Sequence, residues 1–409
     1  MRSLSVVERK LIIIQTLDIL AYSLAGMFVT VFFFAQSDVA TTALFRAIAF
    51  ASMAFFYALS GWLLRYMSSG VLMKAGLFSG ALFYLLLFIL RETSTRWFVP
   101  LAILDGLAGG LYWAGFNVNQ YILSSAGRRI AYFGWGQATF QFANAVGPAL
   151  GGFIITAVGA TAFGIMGGYV TLFFVVSIVS VLAALVIGQL PSHDIPHFSY
   201  LHIIKHRRSR GWKLVLGQQA ALGMYDVTLG TIISILFFLI VQNEAQLGVL
   251  FTAGALIATL SSIVVTRALV RFPSSYWIGV IGAAIAILVF ALWQNMVGAW
   301  LMIGISGLTV PFMLTKLSTS YFEGLDAAAG TWQQKYHMMI ERDSLLAILR
   351  MVSFLLLFVF VQFGDEITLA RTYLFILPIL PLVIGFLLHA SSRTKSTPIP
   401  VTATSPIVS

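Results

Sequence analysis

Residues 36–69, QSDVATTALFRAIAFASMAFFYALSGWLLRYMSS, are repeated without a gap by residues 242–275, QNEAQLGVLFTAGALIATLSSIVVTRALVRFPSS. Nine of the 34 aligned pairs are identical, and 11 of the other 25 exchange one apolar residue for another. An internal repeat separated by 206 positions indicates that one half of the protein was built twice. Because many transporters place their substrate site between internal repeats, this pattern favours a transport function.

The composition indicates that lipid surrounds most of the chain. The 409 residues are 59% hydrophobic and 9% charged, whereas soluble proteins carry about a quarter charged residues. The chain has no cysteine, which excludes disulfide and thiol chemistry. The apolar run that reaches Ala35 is too long for the core of a secretory signal, so we expect it to be retained as the first span.

Twelve stretches are apolar and long enough to cross a membrane, since a spanning helix needs about 20 mostly apolar residues. The predicted spans are 11–35, 43–65, 71–90, 98–123, 132–157, 165–189, 214–241, 247–267, 276–295, 297–318, 344–363 and 369–389.

The spans divide the chain into two units of six. We expect an N-terminal bundle in residues 1–189 and a C-terminal bundle in residues 214–390. A basic cytoplasmic linker, 190–213, joins them, and a tail rich in Ser, Thr and Pro, 391–409, is expected to be disordered. A second long cytoplasmic connection is predicted from Tyr321 to Arg342.

The distribution of Lys and Arg sets the orientation. With the N-terminus inside, 20 of the 24 basic residues fall at cytoplasmic ends and loops, and four fall outside, namely Arg46, Arg91, Arg96 and Arg371. The positive-inside rule therefore predicts a multi-pass protein of the cell membrane with both termini in the cytoplasm. The net charge of +10 is then explained by contact with anionic membrane lipids rather than with nucleic acid, and no metal site is expected.

Six spans, a basic loop and six further spans that echo the first six resemble the major facilitator superfamily, over nearly the whole chain. The resemblance implies an all-α membrane protein with twelve transmembrane helices in two pseudo-symmetric six-helix bundles. It also implies a substrate cavity between the bundles near the middle of the membrane.

Two family motifs are altered in this chain. In the family's loop between spans two and three, only Gly61 fits, while Arg65 stands in place of Asp and Ser68 in place of Gly. Arg65 and its repeat counterpart Arg271 are therefore predicted to be either gating residues or cytoplasmic anchors. In span four, Asp105 occupies the position of an arginine of drug-exporting members, which reverses the sign of the charge.

Span five carries the motif that matches best. Residues 143–152, ANAVGPALGG, match the family's antiporter motif, with Ala at its first Gly. Pro148 removes a helix hydrogen bond, and Gly147, Gly151 and Gly152 allow close approach of neighbouring helices. The resemblance implies that this segment seals the cavity of an exporter; a small-residue packing face between helices is the alternative.

Three carboxylates lie within predicted spans, Asp18 in span one, Asp105 in span four and Asp226 in span seven. A charge near the bilayer centre costs at least ~2.5–3.5 kcal/mol, so such residues usually face the protein interior or a water-filled cavity. They are candidates for binding protons or a cationic substrate, or for hydrogen bonds between packed helices. Arg350 in span eleven is expected either to reach the cytoplasmic surface or to pair with a carboxylate as part of a gate.

Other polar residues follow the same helix faces. Tyr22 and Tyr112 lie at helical spacing from the aspartates of spans one and four, and span five shows a stripe of Gln137, Gln141 and Asn144. A polar stripe on a membrane helix is typical of a cavity wall or of a hydrogen-bonded contact between helices. We include these residues in the candidate site for a proton or substrate.

The sequence thus predicts a secondary transporter that works by alternating access, as a monomer and without a cofactor. Proton-coupled export of a small amphipathic or organic solute is favoured by the span-five motif. Uptake or facilitated diffusion of a sugar, peptide or organic ion is the alternative, and a lipid flippase or a membrane scaffold is an alternative of another class. An enzyme is disfavoured because the sequence has no metal-ligand cluster, phosphate loop or nucleophile motif.

Overall fold

The computed structural model describes residues 4–123, 129–187, 198–205, 208–328 and 332–395. Within these residues the chain is helical and contains no strand. The α-helices are α1 (Val6–Gln36), α2 (Val39–Leu63), α3 (Ser69–Leu90), α4 (Phe98–Leu123), α5 (Arg129–Gly159), α6 (Gly164–Ile187), α7 (Tyr200–Lys205), α8 (Arg210–Val241), α9 (Glu244–Arg271), α10 (Tyr276–Leu292), α11 (Met296–Asp326), α12 (Trp332–Val361), α13 (Glu366–Tyr373) and α14 (Ile379–Lys395).

These helices form two bundles, α1–α6 and α8–α14. Among the described residues, ten helical stretches are long and apolar enough to cross a membrane. One of them, 69–120, contains both α3 and α4, which run antiparallel, because Gly115 of α4 meets the start of α3 at Ser69. With α13 and α14 as the last span, the two-bundle, all-helical architecture predicted from the sequence is confirmed.

The last span is split, whereas the sequence predicted one helix over 369–389. Short-range turn bonds replace the helical pattern between α13 and α14, including Phe375 N–H to the Thr372 carbonyl at 3.0 Å. Pro378 has no N–H and its ring excludes a helical bond at the carbonyl four residues earlier, so the break lies where this proline requires it. Helix α14 also extends through residues 391–395 of the predicted tail; residues 396–409 lie outside the described residues.

The long cytoplasmic connection predicted from Tyr321 to Arg342 is wrong. Helix α11 continues to Asp326 and α12 begins at Trp332, so only a few residues separate them. The polar residues of this stretch favour a loop in the sequence, but in the structure they lie on helices and face partners inside the protein. Arg342 Nε, for example, donates to Gln219 Oε1 of α8 at 3.1 Å.

The repeated segment encodes a helix start, a spanning helix and an arginine at or just after the helix end. The Asp38 side chain caps α2 by accepting from Thr41 N–H at 2.6 Å, and Asn243 caps α9, one position out of register with the repeat. At the other ends, the guanidinium groups of Arg65 and Arg271 lie over the aromatic ring of the next residue. Both arginines are exposed.

The two bundles meet through pairs of helices, α2 with α12, α5 with α9 and α1 with α8. The α5–α9 contact is made backbone to backbone. A Cβ atom added to Gly152 would overlap the Glu244 carbonyl, and one added to Gly248 would overlap the Pro148 carbonyl. Small residues thus allow the bundles to approach closely, as is usual between membrane helices.

We predict that Gly106→Ala destabilises the N-terminal bundle. An added Cβ would lie 2.5 Å from Ser52 Cβ and overlap the Ala49 carbonyl of α2, and overpacking of this kind costs about 1–3 kcal/mol. The measurement is thermal unfolding of the purified protein in detergent. Gly80→Ala is the matched control, since its added Cβ would meet Ala108 Cβ at an ordinary 3.7 Å. Equal melting temperatures for the two variants would contradict the prediction.

Candidate functional site

An ion pair joins two helices of the C-terminal bundle at the middle of α8. Arg350 of α12 contacts Asp226 of α8 through two nitrogens, with Nε donating to Oδ1 at 3.2 Å and Nη2 contacting Oδ2. The two side chains are 19% and 25% exposed, so neither is sealed in the core. Of the two alternatives for Arg350, the structure therefore places it on an intramembrane aspartate rather than at the cytoplasmic surface.

This pair faces the N-terminal bundle. The Arg350 guanidinium lies over the Phe50 ring of α2, 5.4 Å from its centroid, and the Phe50 ring stacks on Phe354 of α12. A guanidinium over an aromatic face is attracted by the ring quadrupole, which holds the cation at the boundary between the bundles. Relative movement of the two bundles would therefore change the contacts of this ion pair.

The N-terminal bundle contains a second intramembrane cation, Arg46 of α2. It is only 8% exposed, and its Nη2 donates to the Gly26 carbonyl at 3.0 Å and to Thr30 Oγ1 at 2.7 Å, both on α1. Its Nη1 lies 3.8 Å from Asp105 Oδ2 of α4, a looser ion pair. Arg46 thus links α1, α2 and α4.

From the sequence alone, Arg46 is predicted only to be a basic residue on the outer side of the membrane, and its role in joining helices was missed. The structure shows it two turns into α2, buried between helices. The usable signal was an arginine inside a predicted span together with Asp105 in another, since opposite charges in lipid usually pair.

Asp18 and its neighbours form the rest of the candidate site. Asp18 lies in the middle of α1 beside the Tyr112 hydroxyl of α4, and it has no cationic partner among the described residues. Tyr112 is buried, whereas Tyr22, one turn after Asp18, is 56% exposed. Asp18 and Asp105 lie on helices that pack against each other, since α1 contacts α4.

The predicted polar stripe of α5 is only partly brought to this region. Asn144 donates its amide to the Phe140 carbonyl of its own helix at 3.0 Å, which stabilises α5 itself. Gln141 is partly exposed, and the side chain of Gln137 lies outside the described residues.

The glycine motif of α5 lies against both bundles. An added Cβ would overlap Ser23 of α1 at Gly147 and the Leu24 carbonyl of α1 at Gly151. Directly after Pro148, the Ala149 N–H donates to Thr252 Oγ1 of α9 at 3.1 Å, a bond between the bundles. This geometry agrees with the alternative that the motif is a small-residue packing face between helices. The face lies at a contact between the bundles.

A polar network joins the bundles toward the end where α2 and α4 finish and α12 begins. The Tyr57 hydroxyl of α2 donates to Asp343 Oδ2 of α12 at 2.8 Å. Asn117 of α4 donates from Nδ2 to both groups, at 2.9 and 3.1 Å. Arg342 neutralises Asp343 from the neighbouring position. Sequence reasoning missed this network because Tyr57 and Asn117 are uncharged, and Asp343 was assigned to a span boundary.

The linker between the bundles covers the same end. The Tyr200 hydroxyl of α7 donates to the Ala58 carbonyl of α2 at 2.8 Å. At the start of α8, Trp212 Nε1 donates to Glu341 Oε2 of α12 at 2.8 Å, and Arg208 pairs with the same carboxylate. The linker therefore contacts one helix of each bundle.

We predict that breaking the central ion pair costs more than removing it. Asp226→Asn leaves Arg350 without its counterion, and an uncompensated charge in such a site destabilises by about 3 kcal/mol. The double variant Asp226→Asn, Arg350→Gln should recover most of this loss, as measured by thermal unfolding in detergent. A double variant whose loss equals the sum of the two single losses would show that the pair is not coupled.

Most of the chain, residues 11–333, matches the family described as Major Facilitator Superfamily. Comparison with curated protein sequences yields no match.

Solved structures share the whole architecture at low identity. The nucleoside transporter NupG is 16% identical with a TM-score of 0.64, covering 95% of this chain and 100% of that one. A bacterial homologue of the iron transporter ferroportin in its inward-facing state is 15% identical with a TM-score of 0.65, covering 94% and 98%. A variant of the E. coli fucose:proton symporter FucP is 16% identical with a TM-score of 0.62, also covering 94% and 98%.

The family match across residues 11–333 agrees with the two helical bundles of the structure. The chain therefore belongs to the major facilitator superfamily and is a multi-pass membrane transporter.

Proposed function

We propose that this transporter exports a small amphipathic or organic solute in exchange for protons, by alternating access between its two bundles. The observation that carries the proposal is Asp18, a carboxyl group in the middle of a spanning helix with no cationic partner in the described part of the chain. A lone carboxylate at this depth is costly, and binding a proton removes the charge. Release and uptake of that proton are the chemistry that coupling requires.

The two other aspartates each have an arginine partner, so they have a different role in the proposal. Asp105 faces Arg46, and Asp226 holds Arg350. A proton or a cationic group of the solute that neutralised Asp226 would release the Arg350 guanidinium, which lies against α2 of the other bundle. Occupancy of the site would then change a contact between the bundles, which is what alternating access needs.

The side chains exposed near Asp18 and Asp105 indicate the class of solute. Tyr22 offers an exposed aromatic face one turn from Asp18, and Asp105 is 32% exposed beyond Arg46. A carboxylate beside an aromatic ring suits an organic cation, because both groups attract positive charge. This favours an amphipathic organic cation over a neutral sugar.

Export is favoured by the glycine motif of α5. Around Pro148 its helix makes a hydrogen bond and backbone contacts to α9, which supports a role of the motif in closing the path between the bundles. The structural neighbours include a fucose:proton symporter and a nucleoside transporter, and neither title specifies export. Direction is therefore the first property to test.

We predict net outward movement of ethidium, a planar organic cation, from energised cells that contain the protein. Cells are loaded with ethidium, and its fluorescence is followed after energisation, with cells that lack the protein as the baseline. A faster fall in fluorescence than the baseline supports export. Faster accumulation would contradict export and favour uptake.

We predict that Asp18→Asn abolishes proton coupling, with a loss of more than about tenfold in pH-driven ethidium exchange in proteoliposomes, because the amide cannot bind and release the proton. Asp326→Asn, an exposed carboxylate at the cytoplasmic end of α11, is the control and should leave the rate unchanged.

Asp226→Asn tests the second aspartate in the same vesicles. Its pH-driven exchange is expected to fall because Arg350 loses its partner. If both Asp18→Asn and Asp226→Asn kept normal pH-driven exchange, the assignment of proton sites to these residues would be wrong.

A further inference from the structure

The outer ends of the two bundles are joined by a carboxylate that the transport proposal does not use. Glu366 lies at the first position of α13 in the C-terminal bundle. Its Oε2 accepts from the Val39 N–H of α2 at 2.8 Å and from the Ala40 N–H at 3.3 Å. Both donors belong to the first turn of a helix in the N-terminal bundle, so the contact crosses between the bundles.

The start of α2 is incomplete without this contact. The first N–H groups of a helix have no partner within the helix and must be satisfied from outside. The helix's own cap, Asp38, takes the Thr41 N–H at 2.6 Å. The N–H groups of Val39 and Ala40 are left to Glu366. A carboxylate is favoured at this position because the positive end of the helix dipole attracts negative charge.

The repeat counterpart of α2 uses the same device without a charge. At the start of α9 in the C-terminal bundle, the Ala245 N–H donates to Thr156 Oγ1 of α5 at 3.1 Å. Next to it, Glu244 Oε1 accepts from the Tyr169 hydroxyl of α6 at 3.1 Å. Each of the two equivalent helices therefore has its first turn held by a side chain of the opposite bundle. At α2 the acceptor of these backbone N–H groups is a charged carboxylate, whereas at α9 it is a neutral hydroxyl.

We propose that Glu366 is a positioning residue of the transport cycle, whose carboxylate holds the outer ends of the bundles together. Separation of the outer ends would move Glu366 away from the start of α2 and leave these N–H groups to water. The charge therefore biases the protein toward the state that is closed to the outside. This inference rests on the alternating access proposed above and concerns the equilibrium between its states.

The test measures access to each face with single cysteines, which is direct here because the native chain has none. The outer reporter is Ala245→Cys, at the contact of α9 with α5, which keeps the backbone N–H bond to Thr156. The inner reporter is Ala114→Cys, fully buried in the apolar cluster of the cytoplasmic end. Each is labelled with a membrane-impermeant maleimide, the outer one in right-side-out vesicles and the inner one in inverted vesicles.

Glu366→Gln is expected to raise the labelling rate of the outer cysteine about threefold or more, the shift in equilibrium typical of a charge at a helix terminus. The rate at the inner cysteine should fall or stay unchanged. Glu366→Ala, which removes the acceptor as well as the charge, should have a larger effect in the same direction. Glu92→Gln is the matched control, an exposed carboxylate on the same outer face, and should change neither rate.

Two results would overturn the proposal. An outer rate that Glu366→Gln leaves unchanged would show that the carboxylate does not hold the outer ends. Parallel increases at both cysteines would show a loosened fold instead of a shift between states. No solute or proton gradient is used, so this outcome is independent of whether transport proves to be proton-coupled or outward.

Discussion

The cost of placing charge in lipid is the constraint on which the rest of this structure depends. An unpaired charge in the bilayer core costs several kcal/mol, so the protein holds its intramembrane charges between helices and mostly in pairs. Arg350 with Asp226 ties α12 to α8, and Arg46 ties α1, α2 and α4 together beside Asp105. Among the described residues Asp18 is the exception to this pattern, and that is why the proposed proton chemistry centres on it.

The second constraint concerns the contacts between the two bundles, which share part of one apolar cluster. Besides aromatic packing such as Phe50 on Phe354, these contacts include backbone contacts at glycines and hydrogen bonds. The Tyr57–Asp343 bond lies near one end of α2 and the Glu366 contact lies at its opposite end. Bonds of this kind can be exchanged for bonds to water when an end opens, whereas a continuous apolar interface would resist separation. The same contacts that stabilise one state can therefore be released in another.

Much of the fold could be predicted from the sequence, because span length, charge asymmetry and the repeat are local properties of the chain. The intramembrane aspartates and the glycine motif were also visible as residue types in unusual places. The partners were not. Arg350 and Asp226 are 124 positions apart, and Tyr57 and Asp343 are 286 apart, so no local pattern joins them. The split at Pro378 and the short α11–α12 connection were missed because polar and proline residues were interpreted without their neighbours.

The sequence alone therefore determined the membrane environment, the doubled architecture and the set of residues worth testing, since these follow from the apolar spans, the internal repeat and the polar residues within the spans. Only the tertiary structure decided which charges neutralise each other, because pairing depends on how each helix is rotated and on which helix lies beside it. It also showed that the two repeated helices, α2 and α9, each begin on a side chain of the opposite bundle. That arrangement needs two distant segments to meet at one helix end, and no pattern within either segment specifies it.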